Sequence, residues 1–203
     1  NMYQQLVQLM RIFSVLICFV LSVGSLSAQS SSTIGLATNH FLNTLSADEL
    51  KKINYSFNDS LRFKWTNLPV GLVPRPGIQY GSLSDDSRIA YHELLTTALS
   101  SQGYLKLTSI MQLDDILNTL YQQAFDKGKI TQETLTMTQN LKWAHRNYFI
   151  SVWGKPGDKD PWGINFGGHH IALSLTISGA SSAISPLFIG TDPAQVKSSK
   201  YAG

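Results

Sequence analysis

His169 and His170 stand side by side behind Gly167-Gly168 and a few residues after Trp162. Imidazole gains and loses a proton near neutral pH and is a common ligand for transition metals. The pair is therefore a candidate for general acid–base catalysis, or for holding a divalent transition metal such as zinc, copper or iron. A metal needs three or four converging ligands, usually histidine with carboxylate. His40, His92, His145 and several carboxylates are available, but no HExxH, HxH or CxxC spacing occurs. In a regular strand, adjacent side chains point to opposite faces. His169 then joins Ile171, Leu173, Leu175 and Ile177 on an apolar face, and His170 joins Ala172, Ser174 and Thr176 on a more polar one. The two would meet only if Gly167-Gly168 bends the backbone. The competing reading is a packed, hydrogen-bonded structural pair.

Other chemistry has less support. No GxSxG elbow, P-loop or dinucleotide GxGxxG is present. Ser100 falls at a helix end, and spacing neither supports nor rules out a Ser-His-Asp arrangement. Arg62 and Arg75 could hold an anionic substrate, with Trp162 beside the histidines as a further substrate contact. Trp65, Trp153 and Trp162 could line a sugar-binding or apolar groove, although such tryptophans are more often core. Asp59 and Asp192 are potential acids that more ordinarily cap turns. Asp59, Arg62 and Trp65 together read as a structural clamp.

The elements that must position these groups change character along the chain. Ser46-Ala47-Asp48-Glu49 is a capping box, and Leu42, Leu45, Leu50, Ile53 and Phe57 suit helices on either side of it. Residues 61–82 carry Pro69, Gly71, Pro74, Pro76, Gly77 and Gly81 and read as an ordered loop or short strands. Asp85-Asp86 opens a second helix, with Tyr91, Leu94, Leu95, Ala98 and Leu99 on one face and Gly103 as its stop. His92 lies at the edge of that stripe. A third helix follows over 105–125, its stripe made by Ile110, Leu113, Leu117, Leu120, Tyr121 and Ala124, with Asp114 and Asp115 off it. The stretch 131–142 is polar and ambiguous. From Asn147 the period becomes two. Strands are expected over 148–153, 162–166, 171–178 and 183–189, and Pro186 argues for an edge or a bulge. The expected class is α+β, a helical N-terminal half packed with an antiparallel meander.

Cellular destination is legible separately. Arg11 precedes an apolar run from Ile12 to Val23, shorter than the roughly 20 residues of a membrane span and suited to a signal peptide. Ser25, Ser27 and Ala28 supply small residues for cleavage, so residues 1–28 are expected to be removed. Residues 29–203 are expected to form a single α+β domain, exported to the periplasm or the cell exterior. Cys18, the only cysteine, lies in the signal segment, so no disulfide is expected. The formal net charge is +3 with no Lys/Arg run, which argues against nucleic acid as a partner, and against a membrane after cleavage. An unidentified small molecule is the expected partner. The first residue is Asn, and the meander stops with an open edge, so a C-terminally incomplete domain is expected.

The chain resembles the domain-of-unknown-function 3500 family. The resemblance rests on Phe57, Asp59, Arg62 and Trp65 ahead of a Pro/Arg/Gly loop, then Leu94-Leu95 and Ala98-Leu99-Ser100 before Gly103-Tyr104 and Ile110-Met111. Tyr148 to Pro156, Trp162-Gly163, Gly168-His169-His170 and Pro186 to Pro193 continue it in order. It implies family membership and export and names no reaction. Two functions therefore stand side by side. One is an exported hydrolase-like or metal-dependent enzyme working at His169 and His170, which requires a histidine and a carboxylate within hydrogen-bond reach in a pocket. The other is a non-catalytic binding or structural module in which the pair only fixes a strand entry.

Overall fold

The computed structural model describes residues 31–157 and 159–196. The expected signal segment, with Cys18 and the cleavage point, lies outside them. The helical part comprises α1 (Ser31–Asn43), α2 (Ala47–Ile53), α3 (Asp85–Ala98), α4 (Ser101–Asp126) and α5 (Gln132–Asn140). The strands are β1 (Asn54–Tyr55), β2 (Ile78–Gln79), β3 (Phe149–Trp153), β4 (Trp162–Gly167), β5 (Ile171–Ser178) and β6 (Ser181–Ile189). Strands β3 to β6 form the antiparallel meander expected from the period-two sequence. The free side of β3 is shared by two short pieces, β1 in parallel and β2 antiparallel. The class is α+β.

Local chemistry accounts for most boundaries. Ser46 caps α2 and Glu49 returns the bond to the Ser46 backbone N–H at 2.8 Å, the reciprocal box read from the sequence. Two boundaries differ from expectation. The break between α3 and α4 falls at Leu99-Ser100 and not at Gly103, because Ser100 Oγ accepts the Gly103 N–H at 3.2 Å and starts α4 there. The ambiguous stretch after Gly128 forms α5, capped by Thr131 through the Thr134 N–H. Pro186 sits in β6, the edge strand, where the pairing with β5 shifts register between Leu173 and Leu175.

Alternation along the strands sorts the two faces of the sheet. Ile150, Val152, Ile164, Phe166, Ile171, Leu175 and Ile177 point into the core shared with Phe41, Tyr91, Leu94, Leu107, Ile110 and Met111 from the helices. Phe41 and Tyr91 join α1 to α3, their ring centroids 5.2 Å apart. The opposite face carries Ser151, Asn165 and Ser174 as register neighbours across β3, β4 and β5. The 61–76 loop lies over this second face, and Asn165 Nδ2 donates to the Arg62 carbonyl there. The histidine pair thus enters the fold at the corner where the loop, the start of β5 and α4 converge.

Candidate functional site

Three side chains from three elements meet at Asp114. The residue lies in α4 with Leu107, Ile110, Met111 and Leu117, all buried on one side of the helix. It is only 1% exposed, which corrects the expectation that it lies off the stripe. Positions 107, 110, 111, 114 and 117 are one helical face by the i, i+3, i+4 rule. A buried carboxylate needs hydrogen-bond donors, and Asp114 has two. His170 Nδ1 lies 2.6 Å from Oδ1, and the Tyr148 hydroxyl donates to Oδ2 at 2.8 Å. Tyr148 is fully buried just before β3 and stacks on Phe166, centroids 5.4 Å apart. Burial above all, then the neighbouring Asp114 carboxylate, pushes its phenol far above the usual range. Tyr148 is therefore a fixed donor.

The histidines do not alternate as a strand would place them. β5 begins only at Ile171, and the Gly168 N–H bonds to the Ile171 carbonyl at 2.7 Å, closing a tight turn around residues 168–171. The turn rotates both rings to one side, with centroids 4.2 Å apart. Gly168 is required because the backbone runs against the Tyr148 ring: an added Cβ would sit 2.5 Å from Cε1. His170 is 6% exposed. His169 is half-buried, stacked on Trp143 at 5.9 Å, and its Nδ1 meets the Asn67 carbonyl at 2.7 Å. Burial is the main reason that its pKa lies below the usual histidine value.

Carbonyl and carboxylate oxygens accept, so in each ring Nδ1 carries a hydrogen, and in the neutral ring Nε2 carries the lone pair. Among the described residues neither Nε2 has a hydrogen-bond partner, and neither is among the polar atoms sealed from solvent. His170 therefore has the arrangement of an oriented base: its far nitrogen held by a carboxylate, the carboxylate held by a phenol, the near nitrogen free. The same Nε2 atoms are the ones that could ligate a metal. Among the described residues no group of three or more His, Cys, Asp or Glu is placed to hold one.

Arg75 reaches the site from the loop. Its Nη2 donates to the carbonyls of Thr66 (3.1 Å), Leu68 and Gly168 (2.7 Å), which ties the loop to the turn that carries the histidines. Arg62 is elsewhere. Its guanidinium lies over Phe57 and Phe63 at 4.0 and 4.5 Å, and Nε bonds the Phe57 carbonyl. Asp59 caps the following turn through the Leu61 N–H. Neither forms the expected clamp under Trp65, because Arg62 is engaged by the two phenylalanines. Trp162 is 1% exposed at the opposite end of β4 from Gly167, in the core and away from the histidines. Trp153 is likewise buried, stacked on Tyr55 at 4.6 Å.

A second Asp–His contact lies one residue along. His145 takes Asp115 by both its backbone N–H and Nδ1, in a half-exposed setting. His92 bridges the Tyr80 and Tyr104 hydroxyls at 2.8 and 3.0 Å, and burial lowers its pKa. His40 approaches Glu93 on the surface. Among the described residues no helix is long and apolar enough to cross a membrane.

Comparison with known proteins adds one match: a family described as a protein of unknown function, DUF3500, over residues 27–203. No curated protein and no solved structure matches the chain.

Proposed function

The chain belongs to the DUF3500 family, whose description assigns no activity, and from that premise we propose that it is an exported enzyme of hydrolase type with His170 as general base. The Asp114–His170 contact carries this reading. Nε2 would take a proton from the attacking group while Asp114 stabilises the imidazolium that forms, and Tyr148 keeps the carboxylate from turning away. No serine or threonine hydroxyl among the described residues bonds to His170, so water is the nucleophile that suits the site. His169, on the same side, would contact the substrate or relay the proton.

The test is a turnover screen on the exported chain. Small esters, amides and phosphate esters are offered to the wild type and to His170→Gln, with metal content measured on both. The expected result is a consumed compound whose rate falls about 10²- to 10⁴-fold in the variant, measured at a temperature where both proteins are fully folded. A rate unaffected by the substitution would sink the assignment. Stoichiometric metal lost in either His169→Ala or His170→Ala would move the chemistry to the metal.

A second reading is favoured by the burial of His170 and by its absence from the walls of two grooves, one over Ser151, Asn165 and Ser174 and one between Leu107 and Ile110 of α4 and Ile184 and Leu187 of β6. In it, Asp114, His170 and Tyr148 act as a polar clamp between α4 and the sheet, and the module is not catalytic. His170→Gln would then lower the melting temperature and change no ligand or substrate property.

A further inference from the structure

An apolar groove opens between α4 and the β5–β6 pair and runs toward the histidine turn. Leu107 and Ile110 of α4 make one side, with Gly103 and the capping Ser100 at the far end. Leu173, Ile184, Leu187 and Ile189 make the other side. No charged residue lines it. Ser100 is its one polar side chain, and that oxygen already accepts the Gly103 N–H. The groove encloses about 210 Å³, whereas an apolar cavity of roughly 150 Å³ is enough to take up benzene. Its outer wall is open: Leu187 is 51% exposed and Ile189 50%. Aliphatic side chains left half in water on an edge strand would be covered by an apolar guest.

Both sides of the groove continue into the Asp114–His170 contact. On α4 the face that carries Leu107 and Ile110 reaches Asp114 about 6 Å further along the axis. On the strands, Ile171 pairs with Ile189 and Leu173 with Leu187. The next residues outward are His170 and Gly190, and the Gly190 N–H donates to the His170 carbonyl at 2.8 Å. Gly190 also faces the free edge of the imidazole. A Cβ placed on it would lie 3.8 Å from His170 Cδ2, the carbon bonded to Nε2. Nε2 has no protein partner among the described residues and is not sealed from solvent. His170 thus stands just past the end of the groove and forms no part of its wall.

We propose that the groove holds the unbranched apolar acyl chain of an ester, with the ester group beyond Ile171 and Ile189 at His170 Nε2. The proposal rests on the general-base reading and names the substrate class of that site. Water attacks the acyl carbon and gives a proton to Nε2. The C–O bond to the alcohol breaks, and the leaving oxygen takes that proton back, so a carboxylic acid and an alcohol result. From Gly103 to Ile110 the helix rises about 10 Å, a length that suits a medium chain and is wasted on an acetyl group. A charged or sugar-like body finds no hydrogen-bond partners in such a lining.

The full chain is offered p-nitrophenyl acetate and p-nitrophenyl octanoate, and the rate that counts is wild type minus His170→Gln, at a temperature where both are folded. kcat/KM is expected to be roughly tenfold or more higher for the octanoate, because each buried methylene adds binding. Leu187→Asp sets a carboxylate in the wall at a half-exposed position and should bring the ratio down to about one. Equal values for the two esters would overturn the proposal and leave the general-base reading standing. So would a folded Leu187→Asp protein that keeps the preference. Should that variant fail to fold, Ile184→Asp, also on the open wall, takes its place. Calorimetric titration with octanol, which has the chain without the ester, separates the two readings. Octanol binding to wild type and His170→Gln, lost in Leu187→Asp, together with no ester turnover, would sink the general base and leave the chain site. Absence of octanol binding to the wild type would overturn the chain site itself.

Discussion

Asp114 Oδ1 and His170 Nδ1 lie 2.6 Å apart although 56 residues separate them in the chain. The contact joins the middle of α4, the longest helix among the described residues, to the entry of β5, the strand beside the edge. Both partners are buried, so it cannot be exchanged for water at small cost.

Removing the carboxylate is therefore expected to be expensive. Asp114→Ala leaves the Tyr148 hydroxyl and the His170 Nδ1–H without an acceptor in a sealed site. We expect a loss of about 3 kcal/mol, read as a fall in melting temperature on the order of 10 °C. Asp114→Asn should cost less, because an amide oxygen still accepts from one partner while its NH2 opposes the other. A melting temperature unchanged in both variants would show that the contact is not formed in solution.

Gly168→Ala probes the turn. Its Cβ would meet the ring of Tyr148, which has no room to retreat. Overpacking of this kind costs roughly 1–3 kcal/mol. It should also displace the Tyr148 hydroxyl from Asp114, seen as faster amide exchange at Ile171 and its neighbours. Gly179→Ala also adds a methyl, with no atom within 4 Å of it but at a φ of +56°, so it controls for strain without collision.

Acidification should weaken the fold through His92 and His169. Burial holds both below the usual histidine pKa, so the unfolded chain binds more protons than the folded one in that window. Stability is then fully present above the unfolded value of about 6.5 and is lost as pH falls through it toward the folded values. His92→Gln should flatten the dependence of the melting temperature between about pH 7 and 5. A wild-type melting temperature constant over that range would contradict the assignment.

The two histidines should separate in their effects. His169 is half-buried and bonded to a loop carbonyl, whereas His170 is bonded to a buried carboxylate. His170→Gln should cost more in stability than His169→Gln by about 1–2 kcal/mol, measured by urea denaturation. Equal losses would mean that the Asp114 bond contributes no more than the Asn67 bond.

Much of this was written locally. The Ser46–Glu49 box, the strand at 171–178 and the edge position of Pro186 were legible because capping, alternation and a missing N–H act within a few residues. Asp114 was within reach as well. Its spacing from Ile110, Met111 and Leu117 is that of a buried face, but its charge argued for the surface, and only a partner reverses that argument. The α3–α4 break was misplaced because Gly103 resembles a helix stop, while Ser100, three residues earlier, is the stronger start signal once its hydroxyl meets the Gly103 N–H.

The sequence by itself determined the α+β class, the meander, the family and the importance of the Gly-Gly-His-His turn as a place to look. Tertiary structure alone decided that the two rings turn to the same side, that His170 finds Asp114 and Tyr148, that Arg75 has no counter-ion among the described residues, and that Trp162 is core. The reason is physical. Capping and alternation are set by bonds between near neighbours, whereas a buried imidazole or guanidinium takes whatever acceptor the packing of distant segments delivers.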